Sequence, residues 1–238
     1  IARALALLPL LALAPLPPEP GRTVGPGETL ALTTELSRLT VQVTINGHGP
    51  FPFVVDTGAE RTVISRELAQ RLGLRPGAVA TVHSMTEVSE IATVVIPDMR
   101  VGHRSVDGIH APALDRRNLG AAGMLGIDGL QGQRVEFDFR RRTMRVVPSG
   151  RRAFRSPAPV AAVKGRRHFG RLLLTDAAVD GRSVVVIVDT GSQITIGNAA
   201  LRSALERRQR LGTTAPVEVQ SITGGRMSGD YGVVRRTS

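Results

Sequence analysis

A chain of 238 residues is long enough for one large domain or two small ones, and at 42% hydrophobic it can pack a core. It has no cysteine, which excludes disulfides, thiolate nucleophiles, zinc–thiolate centres and a lipid-modified cysteine. The net charge of +11 comes from 31 basic against 20 acidic residues, and Lys164 is the only lysine; with aromatics at 3%, stacking platforms for single strands are scarce, so the arginines read as solvated surface and no nucleic-acid partner is expected.

At the N-terminus, Arg3 precedes an Ala/Leu run from Ala4 to Ala14, broken once by Pro9 and followed by Pro15, Pro17 and Pro18. The run is shorter than the ~20 residues that span a bilayer, and Ala12-Leu13-Ala14 fits a small-x-small cleavage site. Residues 1–22 are therefore expected to be a signal peptide or an N-terminal anchor. The protein is expected to be exported, periplasmic or secreted, and to meet a membrane only through that segment if it stays uncleaved. Residues 15–28, rich in Pro and Gly, read as a lead-in.

Residues 23–147 read as a first folded unit. Leu39, Val41, Val43 and Ile45 alternate with polar residues, Asn46-Gly47 signals a hairpin, and Phe51 to Val55 returns as the second strand. Asp56-Thr57-Gly58 ends that strand abruptly. Thr62-Val63-Ile64 is a short strand, Ser65 can cap a helix from Arg66 to Arg71, and Gly73 ends it. Val79 to Ile91 reads as a hairpin. Ile91 to Ile96 and Met99 to Val101 read as strands parted by Pro97-Asp98, and Val106 to Ala113 as another. In Met124-Leu125-Gly126, two apolar residues before a glycine suit a strand passing close under another backbone. Arg134 to Phe139 and Thr143 to Val147 form a hairpin around Arg140-Arg141-Arg142. Residues 148–165, basic and rich in Pro and Arg, read as a linker.

Residues 166–238 replay the first unit. Leu172 to Val179, the turn Asp180-Gly181 and Val184 to Val188 lead into Asp189-Thr190-Gly191. Ile194-Thr195-Ile196 matches Thr62-Val63-Ile64, and Asn198 can cap a helix from Ala199 to about Arg208 that ends near Gly212. Val219-Gln220-Ser221-Ile222-Thr223 matches Val82-His83-Ser84-Met85-Thr86. No second apolar-apolar-Gly element follows, so the second unit is expected to be incomplete, with a fragment the favoured reading.

The doubled stretch, Phe53-Val54-Val55-Asp56-Thr57-Gly58-Ala59 and Val186-Ile187-Val188-Asp189-Thr190-Gly191-Ser192, together with Met124-Leu125-Gly126, resembles the aspartic peptidases of the pepsin and retropepsin type, especially the bacterial single-chain ones. The resemblance implies an all-β fold with short helices, built as two related acid-protease-like β-barrel lobes with the active site between them. Asp56 and Asp189 would be the catalytic pair. Thr57 and Thr190 would lock the turns across the lobes, and Gly58 and Gly191 would let backbone approach the carboxylates. Ala59 and Ser192 occupy the fourth position. Ser192 is expected to donate to the outer oxygen of Asp189 and so favour its charged form.

Two carboxyls a hydrogen bond apart share a proton and titrate as a pair, so one can activate a water while the other protonates the scissile carbonyl. Such chemistry requires no cofactor. The five histidines show no metal-ligand spacing, and no metal is expected. The hairpin around His83, Ser84 and Met85 would be a flap over a peptide or protein substrate held as an extended strand. It lacks the tyrosine of pepsin-type flaps; Tyr231 is the only one in the chain. The protein is expected to act as a monomer. The rival reading is a retropepsin-like peptide-binding module with little turnover.

Overall fold

The chain is all-β with short helices. A computed structural model describes residues 28–35, 38–130, 133–138, 140–148, 165–168 and 171–234. The signal or anchor segment expected over 1–22, and nearly all of the expected linker, lie outside the described residues.

Two short strands, β1 (Glu28–Ala31) and β2 (Thr33–Glu35), occupy a stretch to which the sequence pattern assigns no element. Next come β3 (Arg38–Ile45) and β4 (His48–Val55), joined at Asn46-Gly47 as expected. Asn46 and Gly47 both have positive φ, 50° and 77°, the conformation a twist-matched two-residue hairpin demands. After β5 (Val63–Ser65), the Ser65 side chain accepts the Leu68 N–H at 3.1 Å and starts α1 (Arg66–Arg71).

A long hairpin follows, β6 (Pro76–His83) and β7 (Val88–Val101), with its tip at Ser84 to Glu87. The expected break at Pro97-Asp98 is absent, because β7 runs straight through it. Ile96 pairs with Ile109 and Asp98 with Asp107, so Pro97 falls opposite Gly108. Pairing with β3 begins only at Met99. At Pro97 the missing N–H therefore leaves no ladder bond broken on the β3 side, and the strand continues.

Then come β8 (Arg104–Leu114), a four-residue helix α2 (Arg116–Leu119) that the sequence pattern does not announce, and β9 (Gly123–Leu125). A 3-10 turn over Ile127–Leu130 leads to β10 (Gln133–Asp138) and β11 (Thr143–Pro148).

Eight of these strands form one sheet in the order β2-β3-β4-β9-β5-β8-β7-β6, and an additional β3–β7 pairing curls it back on itself. β9 sits parallel to β4 and antiparallel to β5. Its first residue must be glycine, because a Cβ at Gly123 would lie 2.5 Å from Phe53 Cζ and 2.6 Å from the Val63 carbonyl oxygen. The sheet β1-β11-β10 packs Met144 into the same core as Ile45, Phe53, Ile64, Ile96, Met99 and Leu125. These side chains are essentially inaccessible, and each such burial stabilises the fold by roughly 1.5–3 kcal/mol.

Beyond the expected linker comes a three-stranded antiparallel sheet of β12 (Gly165–His168), β13 (Arg171–Val179) and β14 (Arg182–Ile187). Asp180 and Gly181 turn the chain at positive φ, as expected. Asn198 accepts the Leu201 N–H at 2.9 Å and caps α3 (Ala199–Arg207). The helix does not end at Gly212. Gln209 takes the left-handed conformation, and Gly212 already lies in β15 (Leu211–Gln220), which pairs with β16 (Arg226–Val234).

Ile194-Thr195-Ile196 is not the strand its match to Thr62-Val63-Ile64 predicts. Both isoleucines are exposed, at 40% and 43%. The reason is pairing. In the first unit β5 is held between β8 and β9, whereas no strand among the described residues lies beside 194–196. A strand without a neighbour has no ladder and no face to bury. The buried members of both core clusters lie within residues 32–147, with partly buried Ile222 packed against the second, and only Ala204 and Leu205 are buried apolar side chains among those described beyond.

Candidate active site

Each Asp-Thr-Gly turn lies just beyond a strand end, and the fold brings the two turns together. Asp56 follows the last residue of β4, and its N–H donates to the Leu125 carbonyl at 3.0 Å. Asp189 follows β14 by two residues. The two threonines exchange hydrogen bonds across 133 positions of sequence. Thr57 Oγ1 donates to the Val188 carbonyl at 2.7 Å, and Thr190 Oγ1 donates to the Val55 carbonyl at 2.6 Å. The Thr57 N–H donates to Thr190 Oγ1 at 3.2 Å, and the Thr190 N–H to Thr57 Oγ1 at 3.3 Å. Each hydroxyl thus donates to the strand before the opposite turn and accepts from the turn itself.

The glycines set the approach distance. A Cβ at Gly58 would lie 2.9 Å from Asp189 Cγ, and one at Gly191 would lie 2.5 Å from Asp56 Cγ. Within each turn the carboxylate is held by backbone. Asp56 Oδ1 accepts the N–H of Gly58 at 2.8 Å and of Ala59 at 3.1 Å. Asp189 Oδ1 accepts the N–H of Gly191 and of Ser192, each at 2.9 Å. One oxygen of each carboxyl is thereby held within its own turn, and Oδ2 of each lies toward the glycine of the opposite turn.

The electrostatics are unequal. Asp56 is 7% exposed and Asp189 is exposed. Burial, reinforced by the nearby charge of Asp189 and a hydrogen bond to it, pushes the Asp56 carboxyl up from 3.8 to about 7; the Gly58 and Ala59 amides pull it partly back. A carboxyl in that state is protonated across mildly acidic pH, beside a partner on open solvent.

The role expected of Ser192 is not what its geometry serves. Its hydroxyl donates to the Ile194 carbonyl at 2.7 Å, closing a local turn, and only its backbone N–H reaches Asp189. Short polar side chains readily take such nearby backbone acceptors. The asymmetry between the two carboxyls comes instead from burial.

His83 ends β6, Ser84 and Met85 lie in the hairpin tip, and His83 and Met85 are exposed. Ser84 Oγ donates to the Glu87 carbonyl at 2.9 Å and accepts the Glu87 N–H at 3.0 Å, so it shapes the tip. The residue reaching outward is Thr86, whose hydroxyl bonds to Ser221 Oγ at 2.9 Å. Ser221 opens the tip of the β15–β16 hairpin, and Gln220 Nε2 donates to Asn118 Oδ1 of α2 at 2.9 Å. The two hairpin tips thus meet. The match of Val219–Thr223 to Val82–Thr86 already pairs these stretches; that they touch is a tertiary fact. Thr62, Asp128 and Thr86 belong to the site's frame, and nothing in the local sequence pattern marks them as site residues. Among the described residues, no helix is long and apolar enough to cross a membrane.

Residues 41–129, from within β3 to the 3-10 turn, match the family described as "Aspartyl protease". The match includes Asp56 and its turn but covers less than half of the chain, and Asp189 lies outside it. Among solved structures the chain is similar to a retropepsin-like aspartic protease from Rickettsia conorii, at 19% identity over 51% of this chain and 89% of that one, with a TM-score of 0.37. No curated protein matches.

Proposed function

We propose that the chain is an aspartic endopeptidase that hydrolyses peptide bonds with a water held between Asp56 and Asp189. The observation that carries this reading is the reciprocal bonding of Thr57 and Thr190, which delivers one buried and one exposed carboxyl to each other. Asp56, raised to about 7, holds the shared proton and donates it to the scissile carbonyl oxygen. Asp189, the solvent-facing partner, accepts a proton from the water as it attacks. The proton lost by water and the proton given to the carbonyl leave the pair with its roles exchanged; as the tetrahedral adduct collapses, Asp189 gives its proton to the leaving nitrogen and Asp56 takes one from an adduct hydroxyl, which releases the amine and the acid and resets the pair. No covalent intermediate forms.

The substrate is a peptide or protein segment in extended conformation, lying beneath the meeting tips of β6–β7 and β15–β16. Opening the Thr86–Ser221 contact admits it. The enzyme works as a monomer that draws one turn from each of two related units. It is exported to the periplasm or beyond, a reading that rests on the Ala/Leu run at its start.

The test is cleavage of a mixed peptide library by the 238-residue chain and by Asp56→Asn and Asp189→Asn, with fragments identified by mass. Cleavage by the parent chain alone, with one 18O from labelled water in each new carboxyl, is the expected result. Peptide binding without cleavage by the parent chain would favour a binding module instead.

A further inference from the structure

We propose that Asp128 is a positioning residue for Asp56, acting through Thr62. The proposal deepens the reading of Asp56 and Asp189 as a working pair. Its first readout, however, does not depend on cleavage.

Thr62 is fully buried six residues beyond Asp56. The Asp128 carboxylate accepts its N–H, at 2.8 and 2.9 Å from the two oxygens, and its hydroxyl at 2.6 Å. Thr62 Oγ1 in turn accepts the Gly126 N–H at 3.2 Å, and the Gly129 N–H donates back to Asp128 at 2.7 Å. Asp128 therefore ties the far end of the Asp56 turn to residues 126–129. That same segment grips the near end. The Leu125 carbonyl accepts the Asp56 N–H, and the Ile127 N–H donates to the Ala59 carbonyl, both at 3.0 Å.

Ala59 matters because its N–H, with that of Gly58, points at Asp56 Oδ1. The two peptides that orient the carboxylate are thus flanked on both sides by peptides held from outside, by Leu125 and Ile127, and Asp128 ties that segment to Thr62. Gly126 is the only residue that permits this packing, since a Cβ there would lie 2.6 Å from the Arg61 carbonyl oxygen and 2.8 Å from the Thr62 nitrogen. Among the described residues the second turn shows no such clamp. Thr195, as far beyond Asp189 as Thr62 is beyond Asp56, is exposed, and no carboxylate among the described residues bonds to it. Asp128 therefore acts on one carboxyl of the pair. Asp189 is the charged group facing Asp56, while Glu60 and Arg61, next along the turn, are exposed.

The experiment follows the Asp56 carboxyl by 13C NMR titration in protein labelled at aspartate Cγ, with the resonance assigned by its loss in Asp56→Asn. The Gly58 and Ala59 amides lower the Asp56 pKa, so loosening them raises it. Asp128→Ala and Thr62→Val should move the Asp56 midpoint up by about one pH unit. Asp128→Asn, which keeps an acceptor for Thr62, and Thr62→Ser, which keeps the hydroxyl, should stay near the parent value. Thr195→Val should leave it unmoved.

With a cleaved peptide in hand, the first two variants should also lose about 10- to 100-fold in kcat with KM little changed. An unmoved Asp56 midpoint in a folded Asp128→Ala or Thr62→Val protein overturns the proposal. Should Asp128→Ala not fold, the Thr62→Val and Thr62→Ser pair decides it. A shifted midpoint in those variants, with a parent chain that cleaves nothing, would keep the clamp and sink the peptidase reading.

Discussion

Replacing Asp56 by an asparagine should change how stability responds to pH. A carboxyl raised from 3.8 to about 7 by folding binds its proton more tightly in the native state than in the unfolded chain. Between those values the native state holds a proton that the unfolded state has released, so stability falls as pH rises through the window. Below 3.8 both states are protonated and the carboxyl adds no penalty. Above about 7 both are ionised, and the native state bears the full cost of a charge that is buried and faces Asp189. A shift of about three units corresponds to about 4 kcal/mol. The side-chain amide of the variant has nothing to ionise, and it also removes the repulsion acting on Asp189. Urea unfolding of parent and variant at pH 4, 5, 6, 7 and 8 measures the difference directly. The variant should gain about 4 kcal/mol on the parent from pH 4 to pH 8, most of it before pH 7. A difference that stays constant within about 1 kcal/mol across that range would refute the assignment of a buried, proton-holding Asp56.

Other consequences follow from the same geometry. Gly191→Ala places a methyl 2.5 Å from Asp56 Cγ, so it should separate the turns and abolish cleavage in the peptide assay while the 32–147 core still gives a cooperative melt. Thr57→Val strands the Val188 carbonyl and the Thr190 N–H, and should cost about 1–3 kcal/mol in urea titrations, with Thr57→Ser recovering most of it. Phe53→Ala, removing a fully buried ring that packs over Gly123 of β9, should cost about 3–5 kcal/mol by the same measurement. Thr86→Ala and Ser221→Ala break one contact between the hairpin tips; each should change KM more than kcat, and the double variant should match either single one.

Much of the first unit was legible because its signals are local. Asn46-Gly47 announces its hairpin through two residues that tolerate positive φ, and Ser65 announces α1 through one side chain that can accept from Leu68. Where local pattern misled, a partner elsewhere decided. Pro97 reads as a break until β3 is seen to begin its pairing only at Met99. Ile194-Thr195-Ile196 reads as a strand because its residue types suit one, yet none of the described strands flanks it. Ser192 reads as a donor to Asp189 until the Ile194 carbonyl is found closer at hand. Four-residue α2 carries too little periodicity to be read at all.

The repeated Asp-Thr-Gly and its flanking apolar runs are properties of residue order, and they alone determined where two carboxylates sit at strand ends and that Thr and Gly stand beside each. Local chemistry suffices for that, since a strand end and a tight turn span only a few residues. Tertiary structure alone decided which carboxyl is buried, that Thr57 and Thr190 bond reciprocally across 133 positions, and that Asp128 reaches Thr62. Burial and long-range hydrogen bonds depend on which strands lie side by side. Here the insertion of β9 between β4 and β5 set Leu125, Ile127 and Asp128 against the first turn.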